Sequence, residues 1–309
     1  MKALVTGAHG FVGRHLTDHL TDCGDDVVGV DRHDDGVDIT DAAAVHQLLE
    51  EVRPDVVYHL AGWADVGGSW RAPVEAFRVN AEGTLNVLNA AIEVGVDRVL
   101  AVSSADVYGK VSTDDLPITE DAPLRPASPY AASKVAADFL GLQAWLGRGL
   151  PVLRVRAFNH LGPGQTDKFV APALASRIAH NEISGDDVLR IGNLSARRDF
   201  TDVRDVVRAY RLLVGSGEPG EVYNVCSGVD YAVQELADKL LSLATRPMRF
   251  EPDPELLRPV DIPVLRGDHT RLTSATGWEP GIPIDRTLAD LLEDWRARAR
   301  SSSRAAVRP

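Results

Sequence analysis

The chain opens on Lys2-Ala3-Leu4-Val5-Thr6-Gly7-Ala8-His9-Gly10-Phe11-Val12-Gly13, an apolar run that leads into a glycine-rich turn. The apolar run predicts a short buried strand, and Val12, Leu16 and Leu20 predict a helix with one apolar face. Glycines between a strand and a helix permit a tight turn and let a pyrophosphate approach the backbone at the positive helix end. We therefore expect a dinucleotide at this turn, in contact with Gly7, His9, Gly10, Phe11, Val12 and Gly13.

Strand and helix patterns alternate along the first half of the chain. Further strands are predicted at 26–30, before Asp38, and at 55–60, 98–104, 151–158 and 221–225, with a long helix at 73–94. This alternation is typical of an α/β fold with a doubly wound parallel Rossmann sheet. From Asp167 the alternation loosens, which predicts a smaller C-terminal α/β substrate-binding lobe. The expected Rossmann domain comprises 1–163 and a returning segment at about 199–229. The expected lobe comprises 164–198 and 230–300, which includes a terminal helix at 284–298. A mobile tail is expected at 301–309.

Composition excludes several classes of partner. The 309 residues carry a net charge of −12, which argues against a nucleic acid or an anionic membrane surface. Cys23 and Cys226 form neither a metal-ligand spacing nor a disulfide framework, so we expect no metal site and a reducing compartment. No apolar run reaches membrane-spanning length, and a first strand at Lys2 leaves no room for a signal peptide. These features predict a cytoplasmic protein with a small-molecule substrate.

The cofactor is expected to continue along the carboxyl ends of the next strands. Asp31 ends the second strand, where a carboxylate accepts from both ribose hydroxyls of NAD and repels a 2′-phosphate. Arg32 could instead pair with that phosphate, so NAD(H) is favoured and NADP(H) tolerated. Asp38 and Ile39 are expected at the adenine edge. The small-residue exit of the next strand allows the backbone to pass close to the cofactor, at Leu60, Ala61 and Gly62.

A second stretch, Ser128-Pro129-Tyr130-Ala131-Ala132-Ser133-Lys134, carries the candidate chemistry. Ser128 and Pro129 suit a helix start, which places Tyr130 in the first helical turn. Lys134 follows one turn later on the same face, where an ammonium favours the phenolate and lowers the tyrosine pKa. Taken alone, this pair is more typical of a half-solvated helix face, and the other motifs of the chain are what favour a catalytic role. Ser104 ends a predicted strand, and groups at that edge of a parallel sheet line the ligand crevice.

The glycine turn, Asp31, Ser104, Tyr130 and Lys134 together resemble an extended short-chain dehydrogenase/reductase that modifies nucleotide sugars. The resemblance spans nearly all of the chain. It implies that Ser104, Tyr130 and Lys134 are catalytic and that Asn80 supports the backbone near the active site. It also implies that Asn80, Ser103, Tyr130 and Lys134 contact NAD(P). It further implies a homodimer formed through helices near 80–94 and 130–146.

Segments of the second half resemble the branch of GDP-mannose 4,6-dehydratases and GDP-6-deoxy-D-mannose reductases. These are 158–160, 192–194 with 198–200, and 257–261. That resemblance implies a GDP-sugar substrate. The residues that it assigns to substrate binding are Asp106, Asn159, Asn193, Arg198, Arg258 and Asp261.

Two departures from this branch bear on the reaction. Ser104-Ala105-Asp106 occupies the position at which the dehydratases carry Thr-Ser-Glu or Thr-Asp-Glu. The segment 32–36 is short and acidic, whereas the dehydratases carry a longer basic loop there. Both departures point away from dehydration and favour the reduction of GDP-4-keto-6-deoxy-D-mannose to GDP-D-rhamnose. The opposite configuration at C4, which would give a 6-deoxy-talose product, stays open. A nucleotide-sugar 4-epimerase is the alternative, because Ser104, Tyr130 and Lys134 would serve it equally well. A catalytically inert nucleotide-sensing protein on the same fold is the third hypothesis.

Overall fold

A computed structural model of the protein describes residues 1–32, 35–192, 194–253 and 262–306, with side chains described up to Ser301. Three predicted substrate-binding residues, Asn193, Arg258 and Asp261, lie outside the described residues. The described strands are β1 (Lys2–Thr6), β2 (Asp26–Val30), β3 (Val56–His59), β4 (Arg98–Ser104), β5 (Val152–Ala157), β6 (Asn159–Leu161), β7 (Val188–Ile191), β8 (Arg197–Asp202), β9 (Val222–Val225), β10 (Asp230–Ala232), β11 (Arg249–Pro252) and β12 (Val264–Leu265). The described α-helices are α1 (Phe11–Asp22), α2 (Ala42–Val52), α3 (Val66–Ser69), α4 (Pro73–Phe77), α5 (Gly83–Val94), α6 (Pro129–Arg148), α7 (Val170–Ser184), α8 (Val203–Ser216), α9 (Val233–Ser242), α10 (Thr270–Thr276) and α11 (Ile284–Ala306).

The central sheet has six parallel strands in the order β2-β1-β3-β4-β5-β9. The chain runs from β1 outward to β2 and then returns to the other side of β1 with β3. The order therefore reverses between β1 and β3, and the carboxyl ends of these strands open the crevice in which such sheets bind ligands. The predicted α/β fold with a parallel Rossmann sheet is confirmed.

Helices cover both faces of this sheet because its strands are apolar on both sides. On one face α1 packs with α8, and Leu16 and Leu20 join a core cluster with Val206 and Tyr210. A separate cluster contains Leu49 of α2 together with side chains of α5. The sheet is thus held between two apolar layers, which fixes the strand ends that carry the candidate site.

The C-terminal part of the chain builds a second, smaller core. β10, β8 and β12 form one sheet, β6 adds to β8, and β11 pairs with β7. Helices α7, α9 and α11 close over these strands with a cluster that includes Leu174, Ile178, Leu236, Leu288 and Leu291. The strand β8 crosses residue 198, where the sequence predicts a boundary between lobe and Rossmann domain. No described helix combines the length and the apolar character that a membrane crossing needs.

Three predicted elements differ from the structure. The strand expected before Asp38 is wrong within the described residues, because Thr40 donates to the Asp38 carboxylate and Asp41 donates to the Asp38 carbonyl, which folds the backbone into a turn. The long helix from Pro73 contains a π-helical turn at Arg78–Glu82 between α4 and α5. The terminal helix α11 continues to Ala306, beyond the predicted end at Arg298.

Candidate active site

Tyr130 begins helix α6 beside the end of β4. The Ser128 hydroxyl accepts from the Ala131 amide (3.1 Å) and Pro129 occupies the first helical position, so the predicted helix start is confirmed. A side-chain hydrogen bond joins Tyr130 to Ser104. Burial raises the pKa of the Tyr130 phenol above its ordinary value, and the charge of Asp106 raises it further, against the opposing effect of Ser104. The phenol therefore carries its proton at pH 7, as a tyrosine of ordinary pKa also does.

Lys134 lies one helical turn after Tyr130 and is buried. Its Nζ donates to the Val102 carbonyl (3.0 Å), and burial lowers its pKa to about 8. The predicted lowering of the Tyr130 pKa by this ammonium is wrong, since burial and Asp106 dominate at the phenol. Ser103 donates to the Lys134 carbonyl (3.1 Å), which ties the helix to β4.

Asn80 connects the loop after β3 to helix α6. It lies in the π-helical turn, where its Oδ1 accepts from the Trp63 amide (2.8 Å) and its Nδ2 donates to the Ser133 hydroxyl (2.8 Å). The Ser133 hydroxyl in turn donates to the Tyr130 carbonyl (2.7 Å). A side chain added at Gly62 would meet Asn80 Oδ1 at 2.7 Å and Lys134 Nζ at 3.2 Å. The structure thus brings Asn80, Gly62 and Lys134 together.

The glycine turn lies at the reversal point of the sheet and fits a dinucleotide. Gly7 has φ +73°, and a Cβ there would lie 2.8 Å from the Ala61 amide nitrogen, so only glycine allows β1 and β3 to approach. A Cβ at Gly13 would lie 2.1 Å from the Gly7 carbonyl oxygen. Gly10 is the N-cap of α1 and offers no side chain to the first helical amides, which leaves the helix start open to a phosphate.

The other residues predicted to contact the cofactor near this turn lie around its glycines. Val12 packs against the core, whereas the His9 ring is partly exposed and its Nδ1 lies 3.9 Å from Asp35 Oδ2. The Phe11 ring stacks on His160 with ring centroids 6.1 Å apart, which places β6 beside the start of α1. The Leu60 amide donates to the Thr6 carbonyl (3.2 Å), which continues the pairing of β3 with β1 up to the glycine turn.

Asp31 and Arg32 follow β2 at the outer side of the same crevice. The Asp31 amide donates to the Asp35 carboxylate (2.8 Å). Arg32 Nε lies 3.2 Å from Asp38 Oδ2, so this guanidinium is paired with an acid. Ile39 is buried against α5, and its carbonyl accepts from Asn86 (3.0 Å).

The described substrate-binding candidates are spread around the crevice. The Asp106 amide donates to the Ser104 hydroxyl (3.2 Å), so Asp106 lies beside the Tyr130 and Ser104 pair. Asn159 is exposed at the start of β6, opposite Phe200 of β8. Arg198 donates to the carbonyls of Arg197 and Ile262.

Several buried polar residues near the site were missed from the sequence. The Ser69 hydroxyl accepts from the Tyr130 amide (3.1 Å), and His59 lies between Thr6 and Thr84. Ser133 lies within the segment 128–134, one residue before Lys134, so its position could have indicated a role near the site. The others come from separate elements, and nothing in their local sequence distinguishes them from ordinary polar residues.

Comparisons with known proteins agree with this geometry. The model of the "NAD dependent epimerase/dehydratase family" matches residues 3–226. The chain is 39% identical to a GDP-6-deoxy-D-mannose reductase of Pseudomonas aeruginosa, over 97% of this chain and 98% of that one. It is 32% identical to a UDP-glucose 4-epimerase of Mycolicibacterium smegmatis, over 97% of this chain and 100% of that one.

A solved structure, RMD from Pseudomonas aeruginosa complexed with NADPH, superposes with a TM-score of 0.89 at 38% identity and covers 96% of this chain and 100% of that chain. The family model matches the part of the chain that contains the glycine turn, Ser104, Tyr130 and Lys134. The chain therefore belongs to the NAD dependent epimerase/dehydratase family.

Proposed function

We propose that the protein reduces the C4 ketone of GDP-4-keto-6-deoxy-D-mannose to GDP-D-rhamnose (GDP-6-deoxy-D-mannose) with NAD(P)H. The observation that carries this proposal is the full-length similarity to the Pseudomonas aeruginosa reductase. The chemistry of the site supports it, because a neutral phenol is what protonation of a developing alkoxide requires.

The residues of the crevice have separate tasks in this reaction. Bound NAD(P)H supplies the hydride. Tyr130 gives its proton to the C4 oxygen while Ser104, hydrogen-bonded to Tyr130, steadies that oxygen. Lys134, whose Nζ lies beside Gly62, would hold the nicotinamide ribose. Asn80 and Ser133 hold the start of α6, and so the position of the phenol, because Asn80 Nδ2 donates to the Ser133 hydroxyl and that hydroxyl donates to the Tyr130 carbonyl.

The cofactor and the substrate are proposed to meet between the two cores. Asp31 favours NAD(H), and the pairing of Arg32 with Asp38 supports this, since a 2′-phosphate would have to compete with the Asp38 carboxylate for the guanidinium. The lobe at 164–198 and 230–300 is proposed to bind the GDP-sugar. Asn159 of β6, together with Asn193 of the lobe, would contact the sugar or phosphate, Arg198 and Arg258 the diphosphate, and Asp261 the nucleoside.

A 4-epimerase is the second candidate because of the full-length similarity to the Mycolicibacterium smegmatis enzyme. The two reactions differ in what happens to the cofactor. An epimerase retains bound NAD through its cycle, whereas a reductase consumes one NAD(P)H for each product formed. Dehydration is disfavoured since Asp106 is one methylene shorter than glutamate.

The deciding experiment follows NAD(P)H absorbance after the protein is mixed with GDP-4-keto-6-deoxy-D-mannose. The reductase is expected to oxidise one equivalent of NADH or NADPH per product, with the C4 configuration read by NMR. Parallel reactions with UDP-glucose and GDP-mannose test the epimerase and the dehydratase. Conversion of UDP-glucose to UDP-galactose by the purified protein without added cofactor, and no oxidation with the keto sugar, would contradict the reductase.

We also propose a homodimer and a cytoplasmic location. Four large apolar side chains are exposed on α4 and α6, two helices that pack against each other: Val74 (71% exposed), Phe77 (50%), Phe139 (51%) and Leu146 (74%). An apolar surface of this kind usually marks a protein interface. The free cysteines Cys23 and Cys226 support the reducing cytoplasm.

A further inference from the structure

His59 is a buried polar residue at the end of β3 that the proposed reaction does not use. Its Nδ1 lies 2.9 Å from the Thr6 hydroxyl oxygen, and its Nε2 lies 3.1 Å from the Thr84 hydroxyl oxygen. Thr6 and His59 are register partners in the parallel pair of β1 and β3, whereas Thr84 belongs to α5. The imidazole therefore joins three elements that converge at the reversal point of the sheet.

The direction of these hydrogen bonds follows from counting protons. Thr84 donates its one hydroxyl proton to the Asn80 carbonyl (2.6 Å), so toward His59 it can only accept. The proton between Thr84 and His59 must therefore be on Nε2. Thr6 accepts from the Ala61 amide (3.2 Å) and has its own proton left for the bare Nδ1 of His59.

The two ends of this chain are backbone groups of the candidate site. At one end, Ala61 is the residue that Gly7 approaches at the dinucleotide turn. At the other end is the Asn80 carbonyl in the π-helical turn, whose side chain binds Trp63 and Ser133. A π-helical turn leaves the usual helical hydrogen-bond pattern, and here a side-chain hydroxyl holds the carbonyl.

We propose that His59 is a positioning residue. As the neutral Nε2–H tautomer it directs one hydrogen-bond chain from the Ala61 amide to the Asn80 carbonyl, and so holds these two backbone groups of the candidate site in position. Burial, together with the charge of nearby Lys134, lowers the pKa of His59 to about 3, which keeps the ring neutral. An imidazolium would donate from both nitrogens and leave the Thr6 hydroxyl without its acceptor.

The tautomer is tested directly by nitrogen-15 NMR of the histidine-labelled wild-type protein. The His59 signals are assigned through contacts of its ring protons with the methyl groups of Thr6 and Thr84. We expect a protonated-type shift at Nε2 and an unprotonated-type shift at Nδ1, unchanged between pH 7 and pH 5. The Nδ1–H tautomer, or a charged ring at pH 5, would overturn the proposal, and neither result depends on which reaction the enzyme catalyses.

The positioning role is tested with a pair of variants at Thr84, and this second arm rests on the proposed reductase activity. Thr84→Val removes the hydroxyl and should lower kcat about tenfold through a displaced active-site backbone, whereas Thr84→Ser restores the chain and should keep kcat within about twofold. Thr287→Val is the matched control: this buried hydroxyl of α11 donates to Asp202 at the end of β8 (2.7 Å), so its loss should lower stability and leave kcat unchanged.

Equal kcat values for Thr84→Val and Thr287→Val at equal loss of Tm would show that Thr84 serves stability alone and would overturn the positioning role. If the wild-type protein oxidises no cofactor, the reductase proposal fails. The NMR measurement then still decides the tautomer and the direction of the chain.

Discussion

At Tyr130, the surroundings favour the neutral phenol, although the sequence alone indicated the opposite. Lys134 lies one helical turn after Tyr130, as predicted. However, the Lys134 ammonium donates to the Val102 carbonyl, while burial and Asp106 raise the pKa of the phenol. A tyrosine that keeps its proton at neutral pH is suited to protonate a product oxygen.

Removal of the Tyr130 hydroxyl tests this role. Tyr130→Phe should lower kcat by about 10²- to 10⁴-fold, the usual contribution of a general acid, while the dinucleotide dissociation constant stays within about twofold. Cofactor oxidation measures the first quantity and fluorescence titration with NADPH the second. Tyr58→Phe is the control, because the Tyr58 hydroxyl is buried and has no hydrogen-bond partner among the described residues. Similar kcat values for the two variants would contradict the assignment of Tyr130.

His59 also makes stability depend on pH. Its pKa is about 3 in the fold and 6.5 in an unfolded chain, so between these values the unfolded state binds the extra proton. Stability is therefore full above pH 6.5 and is lost as the pH falls toward 3. Linkage predicts that lowering the pH from 7 to 5 costs about 2 kcal/mol through His59.

Urea unfolding at pH 7 and pH 5 measures this loss. Burial also lowers the pKa values of His160 and His19, which adds to the loss with the same sign. His59→Gln is therefore the comparison that isolates His59, since the variant should show a pH dependence smaller by about 2 kcal/mol. An identical pH dependence in both proteins would mean that the buried imidazole does not titrate as described.

Among the elements, the first β-α unit depends most on close approach of the backbone. Gly7 and Gly24 both have positive φ, but a Cβ at Gly7 would lie 2.8 Å from the Ala61 amide nitrogen, whereas a Cβ at Gly24 meets nothing within 4 Å. The two glycines thus separate the strain of the backbone conformation from the requirement for space.

Gly7→Ala and Gly24→Ala make the corresponding prediction. Gly24→Ala should lose about 1–2 kcal/mol of unfolding free energy because alanine is strained at positive φ, and Gly7→Ala should lose more, because its Cβ also meets the Ala61 backbone. Only Gly7→Ala should also weaken NADPH and NADH binding, by about tenfold or more, since the turn must move away from β3. Urea unfolding and fluorescence titration measure the two effects. Equal dinucleotide affinity in the two variants would exclude the turn between β1 and α1 from the binding site.

At the scale of the whole molecule, the exposed apolar face of α4 and α6 predicts a dimer. Phe139→Asp places a charge within this face and should convert a dimer into a monomer in sedimentation velocity experiments. Ile183→Asp is the control, because Ile183 is a similarly exposed apolar residue (49%) at the end of α7 in the lobe. A wild-type protein that sediments as a monomer, or two variants that dissociate alike, would contradict the proposed interface.

Much of the architecture could be predicted because its signals are local. The apolar run before Gly7 specifies β1, and Ser128 with Pro129 specifies the start of α6, since each pattern lies within one short window of the chain. The turn at Asp38 was missed because the acidic and hydroxyl side chains there bind their own backbone, which competes with a strand.

The sequence by itself therefore determined the α/β class, and it predicted the dinucleotide turn and the Ser104, Tyr130 and Lys134 set. Only the tertiary structure decided that Asn80 binds both Trp63 and Ser133, that Arg32 faces Asp38, and that the Tyr130 pKa is raised. His59 between Thr6 and Thr84 belongs to the same group. The physical reason is that strand order brings together groups from distant parts of the chain, and both the direction of a hydrogen bond and the pKa of a buried group depend on those neighbours.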